Sequence, residues 1–597
     1  MSRRTPGPGG SHDDLGLIVG AIALLALAAA SVVWLPVAFV SPPGYTGGGP
    51  FTVARSLVDG TIRWTAACTA AAAGEVAALA LLGAIAAVGW RRWRRGRTRV
   101  DGAARKMASR RDLKHLGPDG VAESARRLRP SLGNGRIDAD DTGVLIGHTV
   151  AGGMPLRQSW EDVAIDIWGP RTGKTTARAI PAVVAAPGPT LVTSTKGDIV
   201  DATRDLRSEA GSVWVFDPQS VIGSGEPSWW WNPLTGIDSP STARRLAEHF
   251  AAADQGPGVT RDAYFDPEGE DLVANLFLAA ALGGRTILDA YRWSTAPRDE
   301  EPAELLITHG FPDSAKAVHA VLNAPDKQRA GVYGTAKKLL RFLDEPAITR
   351  WVTPPAGRGL PQLDPATFVR TTDTLYLLSQ GGPGSPAPLV AALTDAVLRA
   401  GEAAARTSPG RRLDPPLLSI LDEAANICRI RQLPNLYSFY GSHGLPIITI
   451  LQSYAQGMDV WGRDGMRKLW SAANVRTYGG GVADPDFLDE LSKLIGEHDV
   501  ITRSTSSTGH GWGDRSVSRS PRRQRILDIA DLGALPRGRM VVYASGSRPA
   551  LVKTAPWQAG PHAEQIRASL NRWDPAGDFD PTLDPEPNPG PNPESRR

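Results

Sequence analysis

Cysteine is almost missing from this 597-residue chain: only Cys68 and Cys428 occur, one in an apolar run and one just past a carboxylate-tipped strand. Two thiols so placed exclude a disulfide framework and suit a cytosolic setting for the soluble part. The ten histidines form no His-Glu-x-x-His or Cys/His ligand spacing, so no zinc site is expected. An excess of one charge is lacking too. Basic residues number 66 against 62 acidic, a net of +4, so total charge singles out no partner. With 42% hydrophobic and 21% charged residues, the chain is not a disordered protein; it reads as globular domains plus membrane segments.

Two apolar runs stand near the N-terminus. Leu15 to Val40 is nearly all Ala, Leu, Ile and Val and exceeds the roughly 20 residues that cross a bilayer. A signal peptide is the competing reading; the length of the run and the lack of a clean cleavage site weigh against it. The second run, Thr65 to Trp90, is Ala-rich and carries Glu75, a costly residue at mid-span. The tract that follows, Trp90-Arg91-Arg92-Trp93-Arg94-Arg95-Gly96-Arg97-Thr98-Arg99, is an aromatic belt merging into a basic stop. With Arg3-Arg4, it sets both termini in the cytoplasm. Residues 1–99 therefore read as a membrane anchor with spans at about 15–40 and 65–90. Residues 100–140 read as a basic, helical, solvated juxtamembrane linker attracted to anionic headgroups.

Beyond the linker the pattern changes to short apolar strands alternating with helices, the signature of a doubly wound, mainly parallel α/β sheet. Strands are expected at Gly143 to Ile146, Val163 to Trp168, Pro189 to Thr193, Ser212 to Phe216, Thr374 to Ser379, Leu417 to Leu421, Pro446 to Leu451 and Arg539 to Tyr543. Between about 241 and 355 only helical periodicity remains, as in Glu270 to Leu282 and Arg329 to Leu343. The core is thus read in two parts, 141–240 and 356–560, separated by an all-α insertion at 241–355. A Ser/Arg-rich stretch, about 502–525, reads as a mobile excursion, and 561–597 as a disordered, Pro-rich acidic tail.

The chemistry is concentrated at Gly169-Pro170-Arg171-Thr172-Gly173-Lys174-Thr175-Thr176. A strand breaking into a Gly-containing turn and opening a helix with Gly-Lys-Thr-Thr is a phosphate-binding loop. Its backbone N–H groups cradle phosphates, Lys174 reaches the terminal ones, and the Thr175 hydroxyl binds Mg²⁺. Gly169, Arg171, Thr172, Gly173, Lys174, Thr175 and Thr176 are the candidate nucleotide-binding residues. One departure from the usual spacing is Trp168, which stands where the loop's first glycine is expected. The second half of such a site is an acidic strand tip. Leu417-Leu418-Ser419-Ile420-Leu421-Asp422-Glu423 fits: Asp422 to hold Mg²⁺, Glu423 to orient and deprotonate the attacking water. Gln452, at the end of Ile447 to Leu451, is a candidate γ-phosphate sensor. Arg429 and Arg476 are candidate arginine fingers, between which sequence does not choose.

These residues resemble the coupling proteins of type IV secretion and bacterial conjugation, relatives of the FtsK and HerA motors. The likeness also rests on Lys196-Gly197-Asp198, Asp217-Pro218, Trp231-Asn232-Pro233-Leu234, Leu375-Tyr376-Leu377, Leu451-Gln452-Ser453-Tyr454, Arg476-Thr477-Tyr478-Gly479-Gly480-Gly481 and Leu535-Pro536-Arg537-Gly538. It implies a RecA-like P-loop core that uses ATP and Mg²⁺. It further implies a homo-hexameric ring in the bacterial inner membrane that passes single-stranded DNA with its relaxase, or a secreted protein, to secretion channel components. Three other readings are open: an FtsK-type motor for double-stranded DNA, a protein-export ATPase, and a docking adaptor that binds nucleotide without turning it over. An FtsK-type motor usually appends a winged-helix reader at its end, for which the tail offers no room.

Overall fold

The computed structural model describes residues 11–574, apart from 96–97, 134, 224–225, 254–261, 356, 358, 383 and 507–515; side chains are described outside 11–25, 86–95 and 502–520. The chain forms two compact units, Met1–Arg99 and Val100–Arg597.

In the first unit, helices Ser11–Val40 and Ala66–Arg95 are joined through a short amphipathic helix, Pro50–Val58. Val37, Val53, Ile62 and Cys68 bury one another in a small cluster, and Trp34 Nε1 donates to the Gly48 carbonyl at 2.9 Å. Among the described residues one segment, Ala66–Ile85, is long and apolar enough to cross a membrane, whereas Ala26–Val40 is apolar over a shorter length. Residues 15–25 of the first expected span lie outside those whose side chains are described.

The second unit is built on one large sheet. Its strands are β1 (Val144–Thr149), β2 (Pro155–Gln158), β3 (Ala164–Ile167), β4 (Thr190–Ser194), β5 (Val213–Phe216), β6 (Thr374–Leu378), β7 (Leu418–Leu421), β8 (Ile447–Leu451) and β9 (Val475–Tyr478). A separate hairpin, β10 (Glu497–Ser506) and β11 (Ser516–Arg525), precedes β12 (Arg539–Ala544) and β13 (Ala550–Thr554). The eleven-stranded order is β2-β1-β13-β12-β9-β3-β8-β7-β4-β6-β5. From β9 to β5 every pairing is parallel. These strands are near-continuous Val, Ile and Leu because helices cover both faces. The sheet is mixed, however: β12, β13, β1 and β2 extend it antiparallel. The link from β12 to β13 is too short for the crossover that a parallel partner would need. Neither β9 nor β13 stands out in the sequence as an apolar run, because Arg476 and Lys553 interrupt them.

Between β5 and β6 lie the helices Pro240–Ala253, Phe265–Leu282, Ile287–Thr295, Glu301–Thr308, Pro312–Leu322 and Asp326–Leu340. Phe250 packs edge-on against Phe277 at 5.1 Å. The block is fastened to β5 by aromatic contacts: Trp351 meets Phe216 at 5.4 Å and Trp229 at 5.6 Å. The Trp231 N–H donates to the Trp351 carbonyl at 2.8 Å.

Three sequence readings need correction. Residues 100–140 are not a solvated linker: Val100, Ala104, Met107, Leu113, Leu116 and Val121 are buried in the second unit. Asp101 accepts two hydrogen bonds from Arg539, at 2.8 and 2.9 Å; the few large apolar residues here suffice because the β12–β13 end of the sheet supplies the other wall. The 502–525 excursion is largely an antiparallel ladder, with Thr502 opposite Ser520. Its Thr and Val content suits a strand, although Ser, Gly and Arg dominate the composition. The segment read as a disordered tail begins with an ordered helix, Ala563–Trp573. Its Ala563, Ile566 and Leu570 share one helical face and bury against Ile180, Ala202 and Trp557; residues 575–597 of the expected tail lie outside the described residues.

That last helix lies along Asp198–Ala210, where Ser569 Oγ donates to the Asp201 carbonyl at 2.6 Å and the Arg204 guanidinium sits 3.6 Å from the Trp573 ring centre. Ile566→Ala is expected to cost about 2–4 kcal/mol of local stability. Hydrogen exchange should then rise in both helices, with little change in β3 to β8.

Candidate nucleotide site at the strand tips

Adjacent strands lie about 4.8 Å apart, so residues at the carboxyl ends of neighbouring parallel strands converge although the chain separates them widely. Parallel α/β sheets bind ligands at that edge. Here β3 delivers the Gly169–Thr176 loop, β8 delivers Gln452, β7 delivers Asp422 and Glu423, and β4 leads to Lys196-Gly197-Asp198. The strands stand side by side in that order.

The sequence-predicted residues meet there. Lys174 Nζ lies 3.1 Å from Asp422 Oδ1 and donates to Glu423 Oε1. Gln452 Nε2 donates to both Glu423 oxygens, at 2.7 and 2.9 Å, and Asn426 Nδ2 donates to Oε2 at 2.8 Å. Asp422 and Glu423 are both buried. Glu423 has a left-handed backbone, φ 55° and ψ 35°, a sparsely populated conformation for a non-glycine residue that clusters at functional sites. That sharp turn between β7 and the helix Ala424–Ile427 allows consecutive carboxylates to face one ammonium.

Electrostatics follow from this crowding. The Asp422 carboxyl is raised to about 6, chiefly by burial, which Lys174 opposes and the Glu423 and Asp198 charges reinforce. Burial disfavours the Lys174 charge, yet Asp422 and Glu423 outweigh it, so the net shift is upward and the ammonium is retained. Burial likewise raises Asp198, with Lys196 and Lys174 opposing. Asp198, known from the sequence only as part of Lys196-Gly197-Asp198, is a further candidate for the site because its charge acts on Asp422.

The loop geometry accounts for the Trp168 departure. Trp168 is fully buried, and its indole N–H donates to Thr477 Oγ1 at 2.7 Å. The close approach of backbones comes from the turn after β9: a Cβ on Gly479 would lie 2.1 Å from the Trp168 ring, and one on Gly169 would lie 2.0 Å from the Gly481 carbonyl oxygen. Gly169 N–H donates to the Gly480 carbonyl at 2.9 Å. The Gly479-Gly480-Gly481 run thus gives the room that a glycine at 168 would otherwise give. Left-handed φ at Arg171 (60°) and Gly173 (92°) curls the loop, a backbone habit of anion-binding concavities. Thr172 Oγ1 donates to the Gly169 carbonyl at 2.7 Å and Thr176 Oγ1 to the Gly173 carbonyl at 3.1 Å, while Thr175 opens the helix directly after Lys174. That helix begins with a π-type turn, Thr175–Ala179, before Ile180–Ala185. Pro181 has no N–H to give to the residue four back.

Beneath the loop runs a buried polar chain. Arg178 Nε donates to Asp166 Oδ2 at 2.7 Å, and Arg178 Nη2 to Gln158 Oε1 at 2.6 Å. Thr477 Oγ1 donates to Asp166 Oδ1 at 2.7 Å. The chain links β2, β3, the loop helix and β9, and its sequence signal is the lone carboxylate in Val163-Ala164-Ile165-Asp166-Ile167. Of the two finger candidates, Arg429 Nε donates to the Ala425 carbonyl at 2.8 Å. Arg476 sits within β9, its guanidinium 5.9 Å from the Trp470 ring centre.

The donor set suits a magnesium nucleotide. Among the described residues no cluster of three His, Cys, Asp or Glu could hold a metal by itself, and magnesium in nucleotide sites is shared between one or two protein oxygens and phosphates. Among the described residues Asp422 Oδ1 is buried with Lys174 Nζ 3.1 Å away as its charged neighbour, which leaves it able to face a cation. The fold, a mixed and mostly parallel α/β sheet, fits a RecA-like NTPase core, and its strand-tip edge has the form of a phosphate-binding loop facing an acidic pair.

Comparison with known proteins narrows the class. A family model described as type IV secretory system conjugative DNA transfer matches residues 137–355, and one described as the TraM recognition site of TraD and TraG matches 416–537. The conjugal transfer protein TraG of Agrobacterium fabrum (strain C58) is 23% identical over 397 residues, 64% of this chain and 58% of the relative. TraG of Rhizobium radiobacter is 22% identical over the same share of this chain and 60% of its own length; the chain thus spans under two thirds of these relatives. Among solved structures, the conjugative coupling protein TrwBdeltaN70 in its unbound form superposes with a TM-score of 0.52 at 17% identity, covering 73% of this chain and 92% of that one. TrwB in complex with an ATP analogue gives 0.51 at 17% identity and the same coverage. In family and in fold, the chain carries the pattern of the type IV conjugative DNA transfer coupling proteins.

The packing of Gly169 against Gly481 yields a direct test. Gly169→Ala forces the loop away from β9 and is expected to weaken nucleotide binding at least ~10-fold with Lys174 intact, measured by titration with a fluorescent ATP analogue; an overpacked contact of this kind costs about 1–3 kcal/mol.

Proposed function

We propose that this chain is a membrane-anchored ATPase that couples ATP hydrolysis to recruitment and translocation of DNA into a conjugative type IV secretion channel. The observation that carries the reading is the meeting of Lys174, Asp422, Glu423 and Gln452 at the tips of β3, β7 and β8. In this assignment Gly169, Arg171, Thr172, Gly173, Lys174, Thr175 and Thr176 bind the nucleotide, and Thr175 with Asp422 holds Mg²⁺, which when bound neutralises the phosphate charge. Glu423 takes a proton from water at Oε1 or Oε2. Gln452 fixes the direction of that carboxylate and reports the state of the terminal phosphate across β8. In the structure Lys174 is paired with both acids, so phosphate binding draws the ammonium off Glu423 and frees the base.

The matched families and TrwB's printed ADP–Mg²⁺ and ATP-analogue complexes support this reading. The substrate is then single-stranded DNA with an attached relaxase, the assembly a homo-hexamer, and the location the bacterial inner membrane. Both spans cross it, with both termini and the ATPase core on the cytoplasmic side. The domain reading keeps 1–99 as anchor, 141–240 with 356–560 as core and 241–355 as insertion, with residues 100–140 now joined to the core.

Glu423→Gln separates chemistry from binding. Removing one of the charges that hold Lys174 is expected to leave ATP affinity unchanged or tighter while turnover falls about 10²–10⁴-fold; Lys174→Ala loses both. Phosphate release by the full chain, with single-stranded DNA, duplex DNA or an unfolded polypeptide added in turn, checks the assignment. Stimulation by duplex alone indicates the FtsK-type motor, and by polypeptide alone the export ATPase. Binding with no turnover under any condition indicates the adaptor.

A further inference from the structure

Glu423 is more crowded than a working base should be. Its Oε1 accepts from Lys174 and Gln452, and its Oε2 from Gln452 and Asn426. A general base must reach the proton it takes, directly or through one water, and here both oxygens are already engaged. Phosphate binding draws off Lys174, and Gln452 stands on β8 where it reads the terminal phosphate. Asn426 is the donor whose release nucleotide binding does not account for.

Asn426 moves only with the segment that carries it. The helix Ala424–Ile427 starts at the Glu423 turn and runs on into Cys428-Arg429-Ile430-Arg431. Ala425, Ile427, Cys428 and Ile430 are buried. The Cys428 N–H donates to the Ala424 carbonyl at 3.1 Å, and Arg429 Nε to the Ala425 carbonyl at 2.8 Å, so this close-packed stretch shifts as a stiff arm. Two contacts grip its far end. Trp461 Nε1 donates to the Ile430 carbonyl at 2.9 Å; Trp461 belongs to the helix Tyr454–Ala472 that follows Gln452, and Gly462, at φ 70°, breaks that helix directly after it. Arg431 Nη1 lies 3.2 Å from Glu270 Oε1, both side chains half-buried, and Glu270 stands on Phe265–Leu282 of the all-α insertion. The insertion has its own hold on the core: His249 Nε2 lies 3.3 Å from Asp395 Oδ2, on the helix Ala387–Thr407. The arm is thus tied at one end to the base and at the other to the insertion.

We propose that Asn426 and Arg431 are positioning residues for the base. Asn426 holds Glu423 idle, and the Arg431–Glu270 pair keeps Asn426 in place, so hydrolysis is released when the insertion shifts against the core. A left-handed backbone at Glu423 suits such a device, since strained turns of this kind cluster at switch regions. The inference rests on the ATPase reading and adds to it a brake that the insertion sets.

The test is phosphate release by the full chain in lipid nanodiscs, at saturating ATP and Mg²⁺ and without DNA. Asn426 is exposed, so its truncation leaves the fold intact. Asn426→Ala is expected to raise turnover about 10-fold, the shift that one hydrogen bond to a charged group controls. Arg431→Gln and Glu270→Gln are each expected to raise it about 3–5-fold, the upper range for an ion pair that water partly reaches. The swap of Arg431→Glu with Glu270→Arg returns the wild-type rate. Asn426→Ala with Arg431→Gln is no faster than Asn426→Ala alone, because members of one device are not additive. Unchanged or lower turnover in Asn426→Ala, with ATP affinity intact, overturns the brake; a fully additive double variant overturns the link from Arg431 to Asn426. Hydrogen exchange needs no turnover and covers variants that lose activity. Over residues 424–431 it is expected to rise at least about 5-fold in Glu270→Gln, with β3 and β7 unchanged, and an unaltered exchange there overturns the tether. ATP binding without hydrolysis in wild type and every variant sinks the ATPase reading instead, and the exchange result still decides the tether.

Discussion

A single ammonium between two buried carboxylates organises the molecule. Lys174 and the Asp422–Glu423 pair are separated by 249 positions at the closer contact. In the interior, removing one member of such a group leaves an uncompensated charge, which costs several kcal/mol. The cluster therefore persists only if β3, β8 and β7 are neighbours in register, and Ile167 opposite Leu451 and Leu421 opposite Thr449 keep them so. Asp422 is raised to about 6, chiefly by burial, so the acid is poised to gain when a cation replaces lysine as its partner.

The loop that carries Lys174 is held from beneath and from the side. Below it, Gln158, Arg178, Asp166, Thr477 and Trp168 form one hydrogen-bonded chain; a buried polar chain of this kind is costly unless its members find partners, and specifies one arrangement when they do. Beside it, Gly479 and Gly481 admit Trp168 and Gly169 at distances that side chains would forbid. Asp198 opens the helix against which Ala563–Trp573 is packed, so the C-terminal helix supports the β4 side of the same edge.

The α/β core was legible because its strands are apolar on both faces and end in Gly-Lys-Thr or Asp-Glu, patterns that carry their own physical reason. Lys174, Asp422, Glu423 and Gln452 could be named from strand tips alone. The neighbour relation that joins them could not, since sheet order depends on crossovers hundreds of residues long. Composition misled elsewhere. Ser and Arg at 502–525 concealed a ladder whose pairing uses backbone groups, and the Pro-rich end concealed the amphipathic Ala563–Trp573. In 100–140 the many basic residues masked Val100, Leu113 and Leu116, whose burial depends on a sheet formed far along the chain. Trp168 departs from the loop's usual spacing, and the glycine run that follows β9 makes the room for it.

The central claim is that one magnesium nucleotide occupies the edge shared by β3, β8 and β7. Density for the full chain with Mg²⁺ and a non-hydrolysable ATP analogue tests it most directly. The account predicts phosphates against the Gly169–Thr176 loop, Lys174 moved from Glu423 to the terminal phosphate, and the metal beside Thr175 and Asp422. A nucleotide bound elsewhere, with Lys174 still paired to both carboxylates, would contradict it.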